Sequence, residues 1–313
     1  MKMSLNKRKK VLVAIDGSER GLRTVRYVSK FGPFRDMQIN LFHVFSSVPE
    51  SYWDLEKEPN SSKAMIHVRA WQLEQRKEIQ RYMQAARKIL VQAGFAEDSV
   101  TAHIHDRKKG VARDIISEAL NGYDLVVTRR RGFTAIRGIT IGSVAAKLLD
   151  KLTFVPVAVA GRKPSNQRVL IALDGSDSAR RALDFAGTAL GGRDFEVGLM
   201  NVIRGEQKPA SRIRPLFLPA AFREEKQKDM TMEFQRAKDH LAGIGFKPHR
   251  IKTYSVVGTR SRGASIAETA KQQNYSLIVM GRRGLSGPEE FSMGRVPRKV
   301  IQLATASAIW IIP

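Results

Sequence analysis

The chain has 313 residues, 42% of them apolar and 27% charged, an ordinary globular composition whose length suits two domains better than one. It holds no cysteine, which excludes a disulfide framework, a thiolate zinc site, an iron–sulfur cluster and a cysteine nucleophile. Its 54 Lys and Arg against 30 Asp and Glu give a formal net charge of +24, spread over both halves, a potential that attracts nucleotides, nucleic acid, acidic proteins or anionic lipid alike.

In chain order, VLVAIDGSERG at 11–21 opens with a buried strand, placed at 10–15 and closed by Asp16-Gly17-Ser18. Leu22, Val25 and Val28 then recur at helical spacing, with Ser18 as the predicted N-cap. A second strand is predicted at 38–45, followed by a long helix with Ile79, Met83, Ala86 and Leu90 on one face and Gly94 as its C-cap. His103 and His105 alternate on a strand at 100–105. With no third ligand in the pattern they read as surface or packed imidazoles. A fourth strand at 123–128 runs into RRRGFTAIRGITIGS, where Gly132 precedes a helix starting near Gly142, and a fifth lies at 155–160. The basic run Arg129–Arg131 reads as a solvated strand flank.

GRKPSNQ at 161–167 has linker composition, which divides the chain into domains at 1–162 and 163–313. Beyond it the order of elements repeats. VLIALDGSDSA at 169–179 answers the first strand, LMNVI at 199–203 the second, and YSLIVMGRRG at 275–284 the fourth. Phe234, Ala237, Leu241 and Ile244 line a helix ahead of Gly245, while Pro209, Pro215 and Pro219 argue for a loop over 205–222. Trp310 reads as packing in the last strand. Strands alternating with helices in two copies of domain size make a tandem duplication of an α/β unit on a parallel sheet.

In such sheets ligands sit beyond the carboxyl ends of the strands. Asp16 and Asp174 close the first strand of each half. Gly281, Gly284 and Gly294 follow the fourth strand of the second half, a spacing that Gly132 and Gly142 share in the first, with Arg129 where the leading glycine would stand. Glycines let backbone N–H groups approach an anion, and the helix behind them adds free donors and the positive end of its dipole, a combination suited to a polyphosphate. Either aspartate also suits an Asx bond capping the next helix. His43, within an apolar strand, reads as a hydrogen-bonded core histidine. Neither G-x-x-x-x-G-K-[ST] nor G-x-S-x-G is present, so retention or very slow turnover of a nucleotide is expected rather than motor, kinase or hydrolase chemistry.

With these residues in view, each half resembles a universal stress protein domain, and the whole chain resembles a tandem member of that family. The resemblance implies α/β architecture with two tandem Rossmann-like (adenine nucleotide alpha hydrolase-like) domains, each a five-stranded parallel sheet flanked by helices. In the nucleotide-binding branch a G-x-x-G-x9-G-[ST] loop holds the phosphates of ATP, while the first-strand Asp and a second-strand Val address ribose and adenine. Carried over, these are Asp16, Val44, Gly132, Gly142 and Ser143 in the first half, and Asp174, Val202, Gly281, Gly284 and Gly294 in the second, where Arg295 replaces the hydroxyl residue. ATP or AMP is the implied ligand, with Mg accompanying the phosphates and no metal site in the protein itself. Family domains pair through their last strands, here VPVAVAG and ASAIWIIP, implying an intramolecular pseudo-dimer or a homodimer of chains.

The expected function is non-catalytic sensing or signalling in a stress response. The alternative is a nucleotide-free protein with vestigial pockets whose basic surface binds nucleic acid or acidic partners. With no secretory signal and no apolar run of about 18 residues, the expected location is cytoplasmic and no membrane span is expected.

Overall fold

The computed structural model describes residues 8–46, 62–130, 141–161, 166–191, 194–204, 220–259, 261–285 and 292–313. The chain forms two compact units, the first ending at Leu148 and the second reaching from Leu149 to Pro313.

In the first unit the strands are β1 (Lys10–Ala14), β2 (Gln38–Phe45), β3 (Val100–Asp106) and β4 (Leu125–Arg129), in the spatial order β3-β2-β1-β4. All pair in parallel, with Val11 opposite both Ile39 and Leu125, and Ile39 opposite Val100. The crossovers carry α1 (Leu22–Lys30), α2 (Ser62–Gln92) and α3 (Val111–Ala119), and α4 (Ser143–Lys151) follows β4. The continuous apolar run of β1 follows from its central place. Val11, Leu12 and Val13 are fully buried, as a strand covered on both faces requires.

The second unit holds β5 (Val157–Ala160), β6 (Arg168–Ala172), β7 (Glu196–Arg204), β8 (Ile251–Thr259), β9 (Leu277–Gly281) and β10 (Ala308–Ile312), in the order β5-β10-β9-β6-β7-β8. Its helices are α5 (Asp177–Leu190), α6 (Ala220–Gly243), α7 (Arg262–Gln272) and α8 (Arg295–Leu303). Five of the strands are parallel; β5 runs antiparallel to β10, with Val159 opposite Ile309. Trp310 is fully buried and meets Phe185 edge-on at 5.7 Å between centroids, the packing role expected of it.

The two long helices end alike, for the reason their glycines suggest. Gly94 has φ +92° and Gly245 φ +99°; Phe95 N bonds Leu90 O at 3.2 Å and Phe246 N bonds Leu241 O at 3.0 Å. These are Schellman closures, each burying a Phe beside the Leu of the last turn. Helix starts depart from expectation. Ser18 does not cap α1: its Oγ accepts from Gly21 N at 2.9 Å within a separate turn, and the helix begins only at Leu22. In the second unit Ser176 does cap α5, accepting from Ala179 N. Pro209, Pro215 and Pro219 lie outside the described residues, but α6 is helical from Ala220, so the predicted loop over 205–222 overruns the helix start.

Among the described residues no helix is long and apolar enough to cross a membrane.

Candidate functional site

A cleft of about 830 Å³ opens at the carboxyl ends of β6, β7 and β9, against the N-termini of α7 and α8. The structure brings every second-half residue expected from the sequence into its walls: Asp174, Val202, Gly281, Gly284, Gly294 and Arg295. Asp174 leaves β6 in an Asx turn, its Oδ1 accepting from Ser176 N at 3.1 Å and Ser176 Oγ at 2.6 Å. That commits one carboxylate oxygen. The other, Oδ2, lies against Gly284, where a Cβ would collide with it. Asp174 thus does not cap α5 directly; it holds the serine that does.

Gly281 closes β9 against the first turn of α5. A Cβ there would stand 2.5 Å from Ser178 Oγ and 2.7 Å from Ser178 C, so the backbones meet only because the side chain is absent. Gly294 N donates to Arg282 O at 3.0 Å, closing the loop. The α8 ladder starts with Arg298 N to Gly294 O at 3.4 Å, which leaves the first-turn amides of Arg295 and Val296 ahead of it, and Pro297 contributes no N–H. Ser261 already serves the start of α7, accepting from Ala264 N at 3.3 Å.

The charge of the cleft is one-sided. Among the described residues Arg262, Arg283, Arg295, Arg298 and Lys299 line it, against the single carboxylate of Asp174. The walls also include the apolar Ala172, Met200, Val202 and Ile266. Asn201 also borders the cleft, 6% exposed, its side chain on the opposite face of β7 from Met200 and Val202 and its Nδ2 donating to Leu173 O at 2.7 Å. Its Oδ1 is buried without a hydrogen-bond partner among the described residues. Sequence reasoning missed Asn201, Arg262, Arg283, Arg298 and Lys299; for Asn201 the available signal was that it occupies the place of His43 in the repeat.

Arg282 anchors the loop. It is buried, its Nη1 donating to Leu149 O at 2.5 Å and Ser292 O at 3.1 Å and its Nη2 to Leu152 O at 2.5 Å. Burial pushes its pKa down to about 10, so the guanidinium stays charged at neutral pH and serves three carbonyls at once. Ser292 Oγ in turn donates to Asp150, whose carboxyl that bond holds below the usual range, helped by Lys151 and Arg298.

The first repeat keeps part of this plan. Asp16 Oδ1 accepts from Ser18 N at 3.1 Å and Ser18 Oγ at 2.6 Å, matching Asp174. Val44 is buried near the carboxyl end of β2, Gly142 N donates to Arg130 O at 2.6 Å, and Ser143 is the first residue of α4. Gly132 lies outside the described residues. His43 is buried, as expected, and its Nδ1 donates to Ile15 O at 3.0 Å; burial lowers its pKa and keeps it neutral.

Arg129 corrects the expected solvated flank. It is half-buried, with Nη1 lacking a hydrogen-bond partner among the described residues, and burial lowers its pKa against the pull of Asp16. Tyr82 belongs to the same cluster: burial, then the charge of Asp16, raises its hydroxyl pKa. His103 and His105 stack on Phe42 at 5.5 and 5.6 Å, an aromatic cluster on β2 and β3. Among the described residues no group of three His, Cys, Asp or Glu is placed to hold a metal ion.

Comparison with known proteins agrees with this architecture. The universal stress protein family model matches residues 7–160 and again 165–311. Universal stress protein YxiE of Bacillus subtilis (strain 168) is 29% identical over 147 residues, covering 45% of this chain and 96% of its own. The crystal structure of a universal stress protein from Archaeoglobus fulgidus DSM 4304 shares the fold over 98% of both chains, with a TM-score of 0.68 at 19% identity. With two family segments in one chain, this protein belongs to the universal stress protein family as a tandem member.

Proposed function

We propose that the second-repeat cleft binds an adenine nucleotide, ATP or AMP, and that the protein works without catalysis in stress sensing or signalling, nucleotide occupancy setting loop order and so the choice of partner. The observation that carries this is the convergence of Asp174, Val202, Gly281, Gly284, Gly294 and Arg295 on one cleft, apolar in part and cationic in part. The amides of Arg295 and Val296 and the neighbouring guanidinium groups suit phosphate oxygens, and the uncommitted Oδ2 of Asp174 suits ribose hydroxyls. Mg would accompany the phosphates of ATP. Taking the repeats as 1–162 and 163–313, Asp16, Val44, Gly142 and Ser143, with Gly132 from outside the described residues, would make a second site of the same kind, with Arg129 near enough to feel the charge of its aspartate.

Titration calorimetry of ATP into the full chain tests the proposal. Saturable binding is expected, lost from the second repeat in Gly294→Val and from the first in Gly142→Val. A Cβ at Gly294 meets its nearest neighbours only at 3.4 to 3.8 Å, so the variant blocks ligand approach without forcing the fold. No measurable binding at millimolar ATP would reject the proposal.

The net charge of +24 favours a second reading, in which the pockets are vestigial and the surface binds nucleic acid or acidic proteins. Its test is salt. Polyanion binding must weaken steeply as counterion release is lost, and a flat response sinks that reading.

A further inference from the structure

We infer that the second cleft carries a further anion subsite, built from Arg262, Lys299 and the first turn of α7, and that it takes a second phosphate group borne by the ribose of the nucleotide. The inference rests on the proposed nucleotide reading of this cleft and extends it to adenosine nucleotides phosphorylated at two positions of the sugar.

The cations that line the cleft among the described residues fall into three groups. Arg298 is committed, its Nε donating to Met293 O at 3.2 Å and its Nη2 standing 3.8 Å from Asp150. Arg283 belongs to the glycine loop and Arg295 opens α8, beside the expected 5′-phosphates. Arg262 and Lys299 lie outside that motif, one at the start of α7 and the other in the second turn of α8. Gly263 brings them together. A Cβ there would stand 2.7 Å from Lys299 Cβ and 3.1 Å from Val296 O, so the first turn of α7 lies directly on α8. Neither cation has an ion pair among the described residues. Like charges held side by side repel, and a partly buried guanidinium without an anion is costly, so an anion delivered from the cleft stabilises the pair.

The first repeat supplies an anion of its own at the corresponding turn. The fourth residue of α3 is Asp114, and the fourth residue of α7 is Ser265. Asp114 is 4% exposed and accepts from the amides of Lys108, Lys109 and Gly110 at 2.8, 3.0 and 3.4 Å, so the loop into α3 is already served by a carboxylate. At α7 that carboxylate is gone. Ser265 Oγ is spent on Ser261 O at 3.2 Å and Thr259 Oγ1 at 2.7 Å, and Arg262 stands where the first repeat has Val111. Ser261 Oγ takes the amide of Ala264, and the α7 ladder starts with Ser265 N to Ser261 O at 3.0 Å, which leaves the amides of Arg262 and Gly263 ahead of it. Asp174 Oδ2, against Gly284, faces the glycine loop and suits one ribose hydroxyl. The other hydroxyl is the position from which a phosphate turns to α7, while a 5′ chain is drawn to Arg283 and Arg295.

The test uses the full chain carrying Gly142→Val, which silences the first repeat, and measures by titration calorimetry at low salt the binding of AMP, ADP, adenosine 3′,5′-bisphosphate and its 2′,5′ isomer. At least one bisphosphate should bind about tenfold or more tightly than AMP. Arg262→Gln combined with Lys299→Gln should remove that gain, and should weaken the bisphosphate about tenfold more than ADP, which carries its two phosphates in one chain. Ser265→Asp returns the carboxylate of the first repeat and should remove the gain from within, with thermal midpoints near the parent's showing that both variants fold. Parent affinities for AMP and both bisphosphates within about threefold of one another overturn the inference. Equal losses of ADP and bisphosphate in the folded double variant overturn it too, since they mark a diffuse field rather than a subsite. Binding of none of the four overturns the cleft reading itself, a different result from binding with no gain from the second phosphate.

Discussion

Gly281 and His43 show how much one side chain decides in this chain. Adding a Cβ at Gly281 drives it into the backbone of Ser178, a neighbour that belongs to the first turn of α5 and has no flexible end to move aside. Gly281→Ala should therefore lower stability by about 1 to 3 kcal/mol in urea unfolding, whereas Gly294→Ala should cost less than about 1 kcal/mol. His43 makes a pH prediction with a definite sign. Its folded pKa lies below the ordinary imidazole value of about 6.5, so above that pH both states are neutral and its contribution is intact. As pH falls below about 6.5 the unfolded chain takes up the proton first, and stability declines by at most about 1.4 kcal/mol per pH unit until the folded pKa is passed. His43→Asn, which borrows the strap of Asn201, should flatten the curve between pH 7 and 5. The sequence made His43 legible because an imidazole inside an apolar strand needs a partner. Asn201 was not, because an amide in a strand raises no such demand until its neighbours are known.

At the scale of the element, the closures of α2 and α6 were plain in the sequence: a glycine followed by phenylalanine after a helical stripe satisfies both the φ and the burial that the motif needs. Their starts were less so. Ser18 and Ser176 have the same local sequence signal, yet only Ser176 caps a helix, and the difference lies with a residue far along the chain. Gly281 lets α5 approach β9, while Arg129 carries a side chain at the matching place and α1 begins only at Leu22. Arg282 is the other feature that local pattern hid, since a run of arginines after a strand gives no sign of which one turns inward. Replacing it by alanine leaves the carbonyls of Leu149, Leu152 and Ser292 without their donor and should cost about 3 kcal/mol or more in chemical denaturation. Arg282→Lys should recover only part, since one ammonium cannot reproduce the planar fork.

For the whole molecule, the duplication and the α/β class followed from order and period alone, because both are properties of long stretches. The cations of the cleft did not all follow, since three of the five, Arg262, Arg298 and Lys299, come from α7 and α8 outside the glycine motif, and only folding brings them to one wall. Their excess over Asp174 predicts a preference within the proposed ligand class. ATP should bind more tightly than AMP, by about tenfold at low salt, and the gap should narrow as salt rises, because screening weakens the phosphate contacts and spares the base. A titration series from low to high ionic strength checks this.

Whether the second-repeat cleft holds an adenine nucleotide is decided by a crystal structure of the full chain grown with ATP. Phosphates are expected at the amides of Arg295 and Val296, ribose at Asp174 and the base against Val202. A cleft in which Arg283 and Arg295 fill the phosphate position, with no nucleotide bound in excess ATP, would contradict it.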